Sequence, residues 1–368
     1  MEKTNPEYFS EIVYLRAIAI LAVISIHVSA YFTDMGSINF LTVLYMSIDT
    51  FSSFAVPLFV CISGFVLYNK YQGSFSLKLF YKKRLLSVLP QYIIFSILGV
   101  LFIYIESLYF SKVWHFSVID TILSIVKGTA FFHLWFFVLI LQLYILYPII
   151  EKIFTKSVEN HKTLELLIFL IIIQILYQIF TATNMFLILK ATLFSGYLFY
   201  FVLGMYVKSR YSNFKNIVIT LKHPYILFLA LLPATILGIG SWSLKYFRND
   251  LIPQLIQIYN WISAIVTPLF YILIFTLCLS TALKISEMNP TTITKSMHII
   301  GKYSFGIYLV HGFILLFLTS ILFPKIGFDM NNWLFYPIVF SLVLSLSLSL
   351  VYIINKVPYY EYIIGSSK

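Results

Sequence analysis

The chain has 368 residues, of which 60% are hydrophobic and only 11% are charged, and its mean hydropathy is +0.92. This balance excludes a water-soluble globular protein, because too few polar side chains remain to cover a solvent-exposed surface. In a soluble chain, a net charge of +11 would suggest binding to nucleic acid. Here the basic residues fall mostly between apolar stretches, where they indicate membrane topology.

Apolar stretches of about 20 residues, the length that crosses a bilayer as a helix, recur along the whole chain. They predict an all-α integral membrane domain, a bundle of about ten transmembrane helices, over 1–356, with a short cytoplasmic tail at 357–368. The predicted spans are 12–33, 50–69, 85–105, 130–150, 166–182, 191–207, 225–244, 260–283, 303–323 and 333–355. Roughly three quarters of the 25 Lys and Arg residues lie in segments on the same side of the membrane as the N-terminus. Positive residues favour the cytoplasmic side, so both termini are predicted to be cytoplasmic.

A shorter amphipathic stretch, 113–127, is predicted to be an interfacial helix rather than a span. The two cysteines, Cys61 and Cys278, lie inside apolar runs. This placement suggests neither a disulfide framework nor a metal site, so no metal is predicted.

The first predicted span carries two residues that hydrocarbon disfavours, Arg16 and His27. Eleven residues of helix advance about 16.5 Å and turn about 20° past three full turns, so both side chains project from one face. A polar stripe of this kind is typical of a helix that faces a protein-lined cavity. Each residue alone also has a structural explanation, because Arg16 is close enough to the membrane surface to snorkel and His27 is able to hydrogen-bond a neighbouring helix.

The second predicted span offers a carboxylate and a surface of small residues. Asp49 lies at its outer end near the depth of His27, where it could fix the tautomer of the imidazole or raise its basicity. An ordinary helix N-cap explains Asp49 equally well. Pro57 predicts a locally opened helix, and Ser63 and Gly64 permit the close approach of another helix.

The third predicted span is entered from the cytoplasm through the densest basic cluster of the chain, Lys82, Lys83 and Arg84. Positive residues at this position anchor a membrane protein. Three cations beside a helix N-terminus also suit phosphate groups, so this basic cluster is a candidate site for a phosphorylated cofactor from the cytosol.

Polar and aromatic residues recur in the fourth and ninth predicted spans. His133 and Trp135 lie at the outer end of the fourth, where an aromatic residue usually belongs to the interfacial belt. In the ninth, Ser304, Tyr308 and His311 are spaced four and three residues apart and share a helix face. The row suggests a polar path, and interhelical hydrogen bonds of about 0.6 kcal/mol each are the alternative.

Together these segments resemble the acyltransferase-3 family of integral membrane acyltransferases. The resemblance depends on Arg16 and His27 with ten residues between them, and on the stretches VPLFVCISGF, KKRLLSVLP, HLWF, FVLGMYV and GKYSFGIYLVH. Tyr144 and Pro148 follow the HLWF stretch, and Gly204 lies within FVLGMYV. The motifs occur in the family's order over residues 12–311, and the ten-helix plan matches as well.

The resemblance implies transfer of an acyl group, commonly acetyl, from acetyl-CoA or another acyl-CoA to a hydroxyl of a cell-envelope carbohydrate or lipid-linked sugar. It implies roles for Arg16, for His27 and for the basic cluster. We predict that His27 is the general base with Asp49 beside it, and that Arg16 and the basic cluster hold coenzyme A. The further candidates for binding the acyl donor are Ser63, His133, Trp135, Ser304, Tyr308 and His311.

Two other functions fit the same residues. The chain could be an exporter or flippase component for a cell-surface polysaccharide. That function explains the aromatic content and polar stripes equally well, but it does not explain a cytoplasmic basic cluster or the helix with Arg16 and His27 on one face. The chain could also be a non-catalytic subunit that scaffolds a glycan synthase. All three functions place the chain in the lipid bilayer of the cytoplasmic membrane with no nucleic-acid partner. The sequence does not identify the acceptor molecule or decide whether the acyl group is acetyl or succinyl. It also leaves open whether the chain is a monomer, a homodimer or part of an assembly with glycan-synthesis partners.

Overall fold

The computed structural model describes residues 8–33, 39–110, 117–183, 192–220, 223–247, 252–328 and 332–365. Within these ranges the chain forms helices and no strand. Nine of the described helical segments are long and apolar enough to cross a membrane. They are Ser10–Tyr31, Phe40–Tyr71, Leu77–Tyr109, Trp135–Glu159, Thr163–Ala182, Pro224–Leu244, Pro253–Glu287, Ser304–Ile326 and Phe335–Ile354. The chain is therefore a multi-pass helical membrane protein, as the composition predicted.

The helices in chain order are α1 (Ser10–Thr33), α2 (Phe40–Ser52), α3 (Ala55–Tyr71), α4 (Leu77–Leu86), α5 (Leu89–Tyr109), α6 (Val118–Lys127), α7 (Trp135–Glu159), α8 (Thr163–Thr183), α9 (Leu198–Ser209), α10 (Tyr211–Thr220), α11 (His223–Phe247), α12 (Pro253–Glu287), α13 (Thr292–Lys302), α14 (Ser304–Leu316), α15 (Phe323–Ile326), α16 (Phe335–Ile354) and α17 (Glu361–Ile364). A short 3₁₀ turn, Phe194–Gly196, precedes α9, and a π-helical segment, Phe317–Leu322, joins α14 to α15.

The sixth predicted span, 191–207, is the one that differs most from the structure. Its helix α9 begins only at Leu198, after the 3₁₀ turn that ends at Gly196, and has 12 residues. That is too few to cross a bilayer as a continuous helix, which needs about 20. Residue 191 lies outside the described residues. Glycine has low helix propensity, which accounts for the late start.

The described residues group into two compact units. Unit 1 comprises 1–75, 149–188 and 195–301, and unit 2 comprises 76–148, 189–194 and 302–368. In unit 1, α1 packs against α2, α3 and α12, α3 packs closely against α9, and α12 also packs against α11 and α8. In unit 2, α14 packs against α16 and α5, and α5 contacts α6 and α17.

Unit 2 contains a lipid-exposed spanning helix, α5, and the stretch that the sequence predicts to be an interfacial helix. Large apolar side chains of α5 are exposed, as lipid contact requires. α6 is amphipathic, starts at the Ser117 N-cap and ends at Gly128 in the left-handed conformation. Its apolar residues are exposed, for example Ile119 at 71% and Val126 at 67%. These features suit an interfacial helix over the described part of 113–127, which excludes 113–116.

The predicted tail is not extended throughout. Glu361–Ile364 forms α17, and the Glu361 carbonyl accepts a hydrogen bond from the Gln91 side chain at 2.5 Å. Ile364 is buried. The first part of the tail thus packs onto α5, while residues 366–368 lie outside the described residues.

Candidate functional site

The face of α1 that carries Arg16 and His27 is covered by protein. Ile20 and Val23 lie between them on the same face, and their exposed fractions are 0% and 3%. Arg16 and His27 are themselves half-buried, and both make polar or ring contacts. A lipid-facing stripe would leave these residues exposed. The face is therefore turned toward protein rather than toward hydrocarbon.

The second spanning segment consists of two helices, α2 and α3, with a break at Ser53 and Phe54. Pro57 explains the break, because it has no N–H to donate to the Ser53 carbonyl four residues earlier. The Ser53 hydroxyl donates to the Thr50 carbonyl at 2.7 Å. The hydroxyl of Tyr271, on α12, lies beside Ser53 and within electrostatic range of Asp49.

Asp49 is not a helix N-cap, so that explanation of it is wrong. Asn39 caps α2 instead: its side chain accepts from the Thr42 N–H at 2.9 Å, and the Thr42 hydroxyl completes a capping box. Because this helix begins at Phe40, Asp49 lies near its C-terminal end, where it is half-buried. The carboxylate is thus placed inside a spanning segment rather than at its start.

The contact between α3 and α9 depends on two glycines. A Cβ on Gly64 would lie 1.9 Å from the Phe201 carbonyl oxygen, and a Cβ on Gly204 would lie 1.9 Å from the Cys61 carbonyl oxygen. The two helices therefore touch backbone to backbone, the close approach that small residues allow between membrane helices. Ser63, half-buried on α3, adjoins this contact.

In unit 2 the structure brings His133, Tyr308 and His311 together. The Tyr308 hydroxyl donates to the His133 carbonyl, and the centroids of the two imidazole rings are 4.7 Å apart. Nδ1 of His311 lies 2.7 Å from the Tyr308 carbonyl. A carbonyl only accepts, so Nδ1 carries a proton and Nε2 is the basic nitrogen of the neutral ring. The exposed fractions of these side chains are 1%, 6% and 0% respectively.

Gly312 and Ser304 lie on α14 with Tyr308 and His311, and Trp135 follows His133 by two residues. Gly312 lets the His133 ring lie against α14, since a Cβ there would be 2.5 Å from His133 Nδ1. Ser304 is buried at the start of α14, on the face of Tyr308 and His311. Trp135 is the first residue of α7 and is half-buried.

The basic cluster lies in the last turns of α4, whose N-cap is Ser76. Lys82 and Lys83 are exposed, whereas Arg84 is partly buried. The C-terminal end of a helix favours cations through its dipole, which gives the cluster a structural reason to be basic. The N-terminus of α5 follows at Leu89, where Pro90 removes one of the N–H groups that an anion would use.

A family model described as an acyltransferase domain, acyltransferase 3, matches residues 9–352. The chain belongs to the acyltransferase-3 family. All twelve candidate residues lie within the matched range, so the family match covers both compact units and both groups of polar residues. No solved structure matches the chain.

The similar curated relatives of this acyltransferase-3 chain come from Staphylococcus aureus. Those of strains MSSA476, MW2 and MRSA252 are each 27% identical over 378 residues, which covers 96% of this chain and 95% of the relative. Each is named "Probable poly-beta-1,6-N-acetyl-D-glucosamine export protein". The family is thus named for acyl transfer, whereas these relatives are named for export of poly-beta-1,6-N-acetyl-D-glucosamine.

In unit 1 of this acyltransferase-3 chain the candidate residues lie on α1 and on two helices that pack against it. Unit 1 holds Arg16, His27, Asp49 and Ser63 on α1, α2 and α3. Unit 2 holds the histidine pair with Tyr308, Ser304 and Trp135, and separately the basic cluster on α4. No group of three or more His, Cys, Asp and Glu side chains that could hold a metal occurs among the described residues.

Sequence reasoning missed buried polar residues that the fold brings to unit 1. Tyr200 on α9 and Tyr271 on α12 have ring centroids 5.7 Å apart. Glu11, 5% exposed, accepts a hydrogen bond from Tyr211. Glu151, 7% exposed, accepts from the Gly73 N–H at 3.0 Å. The dense tyrosines of residues 197–211 were the available signal, but an aromatic belt gives the same composition.

Proposed function

We propose that the chain is a membrane O-acyltransferase that moves an acyl group from cytosolic acyl-CoA, acetyl-CoA above all, to a hydroxyl of a cell-envelope carbohydrate. The observation that carries this proposal is the protein-covered face of α1 with Arg16 and His27, in a chain of the acyltransferase-3 family. Ionisable residues within a span are expensive, and a pair of them facing the protein interior is a functional-site candidate.

His27 is the general base of the proposed reaction. Its imidazole takes the proton from the acceptor hydroxyl as the hydroxyl oxygen attacks the carbonyl carbon of the thioester. The tetrahedral intermediate then expels the sulfur of coenzyme A, and the proton passes to that sulfur. The products are the acyl ester and the free thiol of coenzyme A, so no oxidant, reductant or metal is needed.

Asp49 is proposed to orient the imidazole of His27. The two helices α1 and α2 are consecutive and pack against each other. Counted from the connection between them, His27 lies about 9 Å along α1 and Asp49 about 14 Å along α2, at 1.5 Å per residue. These depths differ by about one helical turn. A carboxylate near that level would hold the ring and favour the imidazolium that forms as the base takes the proton.

The basic cluster and Arg16 are proposed to hold coenzyme A. Exposed Lys82 and Lys83 at the end of α4 suit the phosphate groups of a cytosolic nucleotide. Arg16 is about 16.5 Å along α1 from His27, too far to touch the same reacting atom, and is assigned to the donor rather than to the acceptor. The cytoplasmic membrane is the location in which cytosolic donor and surface carbohydrate would meet.

The decisive variant is His27→Ala in purified protein, with acetyl-CoA and an oligosaccharide acceptor. We expect acetyl transfer to fall by about 10²–10⁴-fold, the contribution of a positioned base. His161→Ala is the matched control, because His161 is exposed in the turn between α7 and α8. Ester formation at the wild-type rate in His27→Ala protein would remove the base assignment.

A second candidate function is export of the polysaccharide itself, which the names of the relatives favour. Cells carrying His27→Ala distinguish the two functions. Loss of acyl esters from a polysaccharide that still reaches the surface indicates the acyltransferase. Loss of the surface polysaccharide itself, without accumulation of an unacylated form outside the cell, indicates the exporter.

A further inference from the structure

Two small cavities lie between α3, α9 and α12 of unit 1. The tyrosine cavity is lined by Tyr200 and Tyr271 with Phe54, Pro57, Leu58 and Leu203, and by two residues that it shares with the second cavity. The shared residues are Cys61 and Phe275. The second, or glutamate, cavity is lined by apolar side chains of these three helices and of α1, together with Glu11 on α1 and Tyr211 on α10.

The cavities follow one another along the three helices. Along α3 and its N-cap Phe54, the tyrosine cavity is lined from Phe54 to Cys61, and the glutamate cavity from Cys61 to Phe65. Along α12, the tyrosine cavity is lined by Tyr271 and Phe275, and the glutamate cavity by Phe275 and Leu279. α9 shows the same order. The two cavities are therefore neighbours along the inside of unit 1, with mostly apolar walls.

The tyrosine cavity contains a buried hydroxyl that makes no hydrogen bond to any part of the chain that the structure describes. Tyr200 is 3% exposed, and its hydroxyl has no hydrogen-bond partner among the described residues. Buried hydroxyl groups are normally paired, so an unpaired one lining a cavity is a place for a ligand acceptor atom. The hydroxyl of Tyr271 is engaged beside Ser53, which leaves Tyr200 as the donor for a ligand.

The residues that line the tyrosine cavity also disfavour ligands that are charged or long. None of the eight described residues that line the tyrosine cavity is charged, and the adjoining cavity contributes the carboxylate of Glu11. A ligand with its own carboxylate would meet apolar walls on one side and a like charge on the other. The cavity holds little more than a water molecule in its present form, and Leu203 and Phe275 limit how far a chain could extend.

We infer that the tyrosine cavity binds the acyl group of the donor, with Tyr200 donating to the acyl carbonyl oxygen, and that it selects short uncharged acyl groups such as acetyl. This assignment rests on the proposed acyltransferase function and specifies the acyl group that it uses. The carbonyl oxygen of the acyl group accepts the hydrogen bond from the Tyr200 hydroxyl. The methyl group of acetyl packs against the apolar side chains of the tyrosine cavity. Succinyl is excluded by its carboxylate.

The experiment compares kcat/KM for acetyl-, propionyl-, butyryl- and succinyl-CoA in purified protein. We expect acetyl-CoA to be the best donor and succinyl-CoA to be at least about 100-fold poorer, since the site leaves a buried charge unpaired. Leu203→Ala enlarges the cavity and should raise the butyryl-to-acetyl ratio about tenfold, within the range known for two methylenes. Leu198→Ala, on the same helix but outside the cavity, is the control and should keep the wild-type ratio.

A second variant tests the hydrogen bond that the Tyr200 hydroxyl is proposed to donate. Tyr200→Phe keeps the ring and removes the hydroxyl, so kcat/KM for acetyl-CoA should fall about 100-fold. Tyr206→Phe, on α9 outside both cavities, should keep the wild-type value. If succinyl-CoA matches acetyl-CoA, or if both cavity variants behave like their controls in an active enzyme, the cavity assignment is wrong and the acyltransferase proposal stands. A wild-type protein that uses none of the four donors overturns both.

Discussion

The histidine pair of unit 2 exists because residue 312 has no side chain. Alanine at Gly312 would place its Cβ 2.5 Å from His133 Nδ1 and 2.7 Å from Cε1, inside van der Waals contact. The His133 ring is enclosed by Phe131, with ring centroids 5.5 Å apart, and by Tyr308, at 5.3 Å, so it has little room to retreat.

Gly312→Ala should therefore destabilise the protein by about 1–3 kcal/mol, the usual cost of overpacking. Thermal unfolding in detergent measures the effect as a lowered Tm. Gly238→Ala is the matched control, because Gly238 lies inside α11 with nothing within 4 Å of a Cβ, and alanine there should be neutral or stabilising by up to about 1 kcal/mol. Equal Tm values for the two variants would contradict the steric role of Gly312.

At the scale of single helices, the break between α2 and α3 gives a direct test of Pro57. Pro57→Ala restores an N–H that can bond the Ser53 carbonyl and continue the helix. Straightening the segment would move Asp49 and Ser53 relative to Tyr271. We expect acyl transfer to fall about 10–100-fold, the effect of a misplacement near 1 Å, while the folded protein remains at least as stable.

Activity and Tm of Pro57→Ala are compared with those of Pro233→Ala, which alters the proline inside α11. The control removes a proline from a spanning helix that carries none of the candidate residues. If both variants retain wild-type activity, the break has no role in placing Asp49.

The helices themselves follow from the sequence, since long apolar runs have one solution in a membrane. The shared face of Arg16 and His27 was predictable for the same reason, because helical spacing alone determines it. Contacts between distant segments were not. Nothing local reveals that Gly204 meets Cys61 or that His133 meets His311, because each contact depends on which helices become neighbours. For the same reason, the sequence does not show that the Tyr200 hydroxyl has no hydrogen-bond partner among the described residues. The N-cap explanation of Asp49 and its predicted place at the end of the span were wrong, because the helix starts after Asn39, ten residues earlier.

On the scale of the whole molecule, the distribution of positive charge makes a prediction that the helix positions alone do not test. The described residues contain nine helical segments long enough to span the bilayer, together with the short α9. The sequence predicts that the segment containing α9 completes a tenth crossing, and ten crossings return the C-terminus to the side of the N-terminus. Most Lys and Arg residues lie on that side, so it should be the cytoplasm. The basic cluster must be cytoplasmic if it is to meet acyl-CoA.

Single-cysteine labelling checks this orientation. The chain has two cysteines, Cys61 and Cys278, and both are buried, so introduced thiols can be read above a low background. Lys325 and Lys162 are both exposed and are predicted to lie outside and inside the cell, respectively. A membrane-impermeant maleimide should label Lys325→Cys in intact cells and should label Lys162→Cys only after permeabilisation. The reverse pattern would put the basic cluster on the outer side, away from cytosolic acyl-CoA, and would refute the proposed route of the donor.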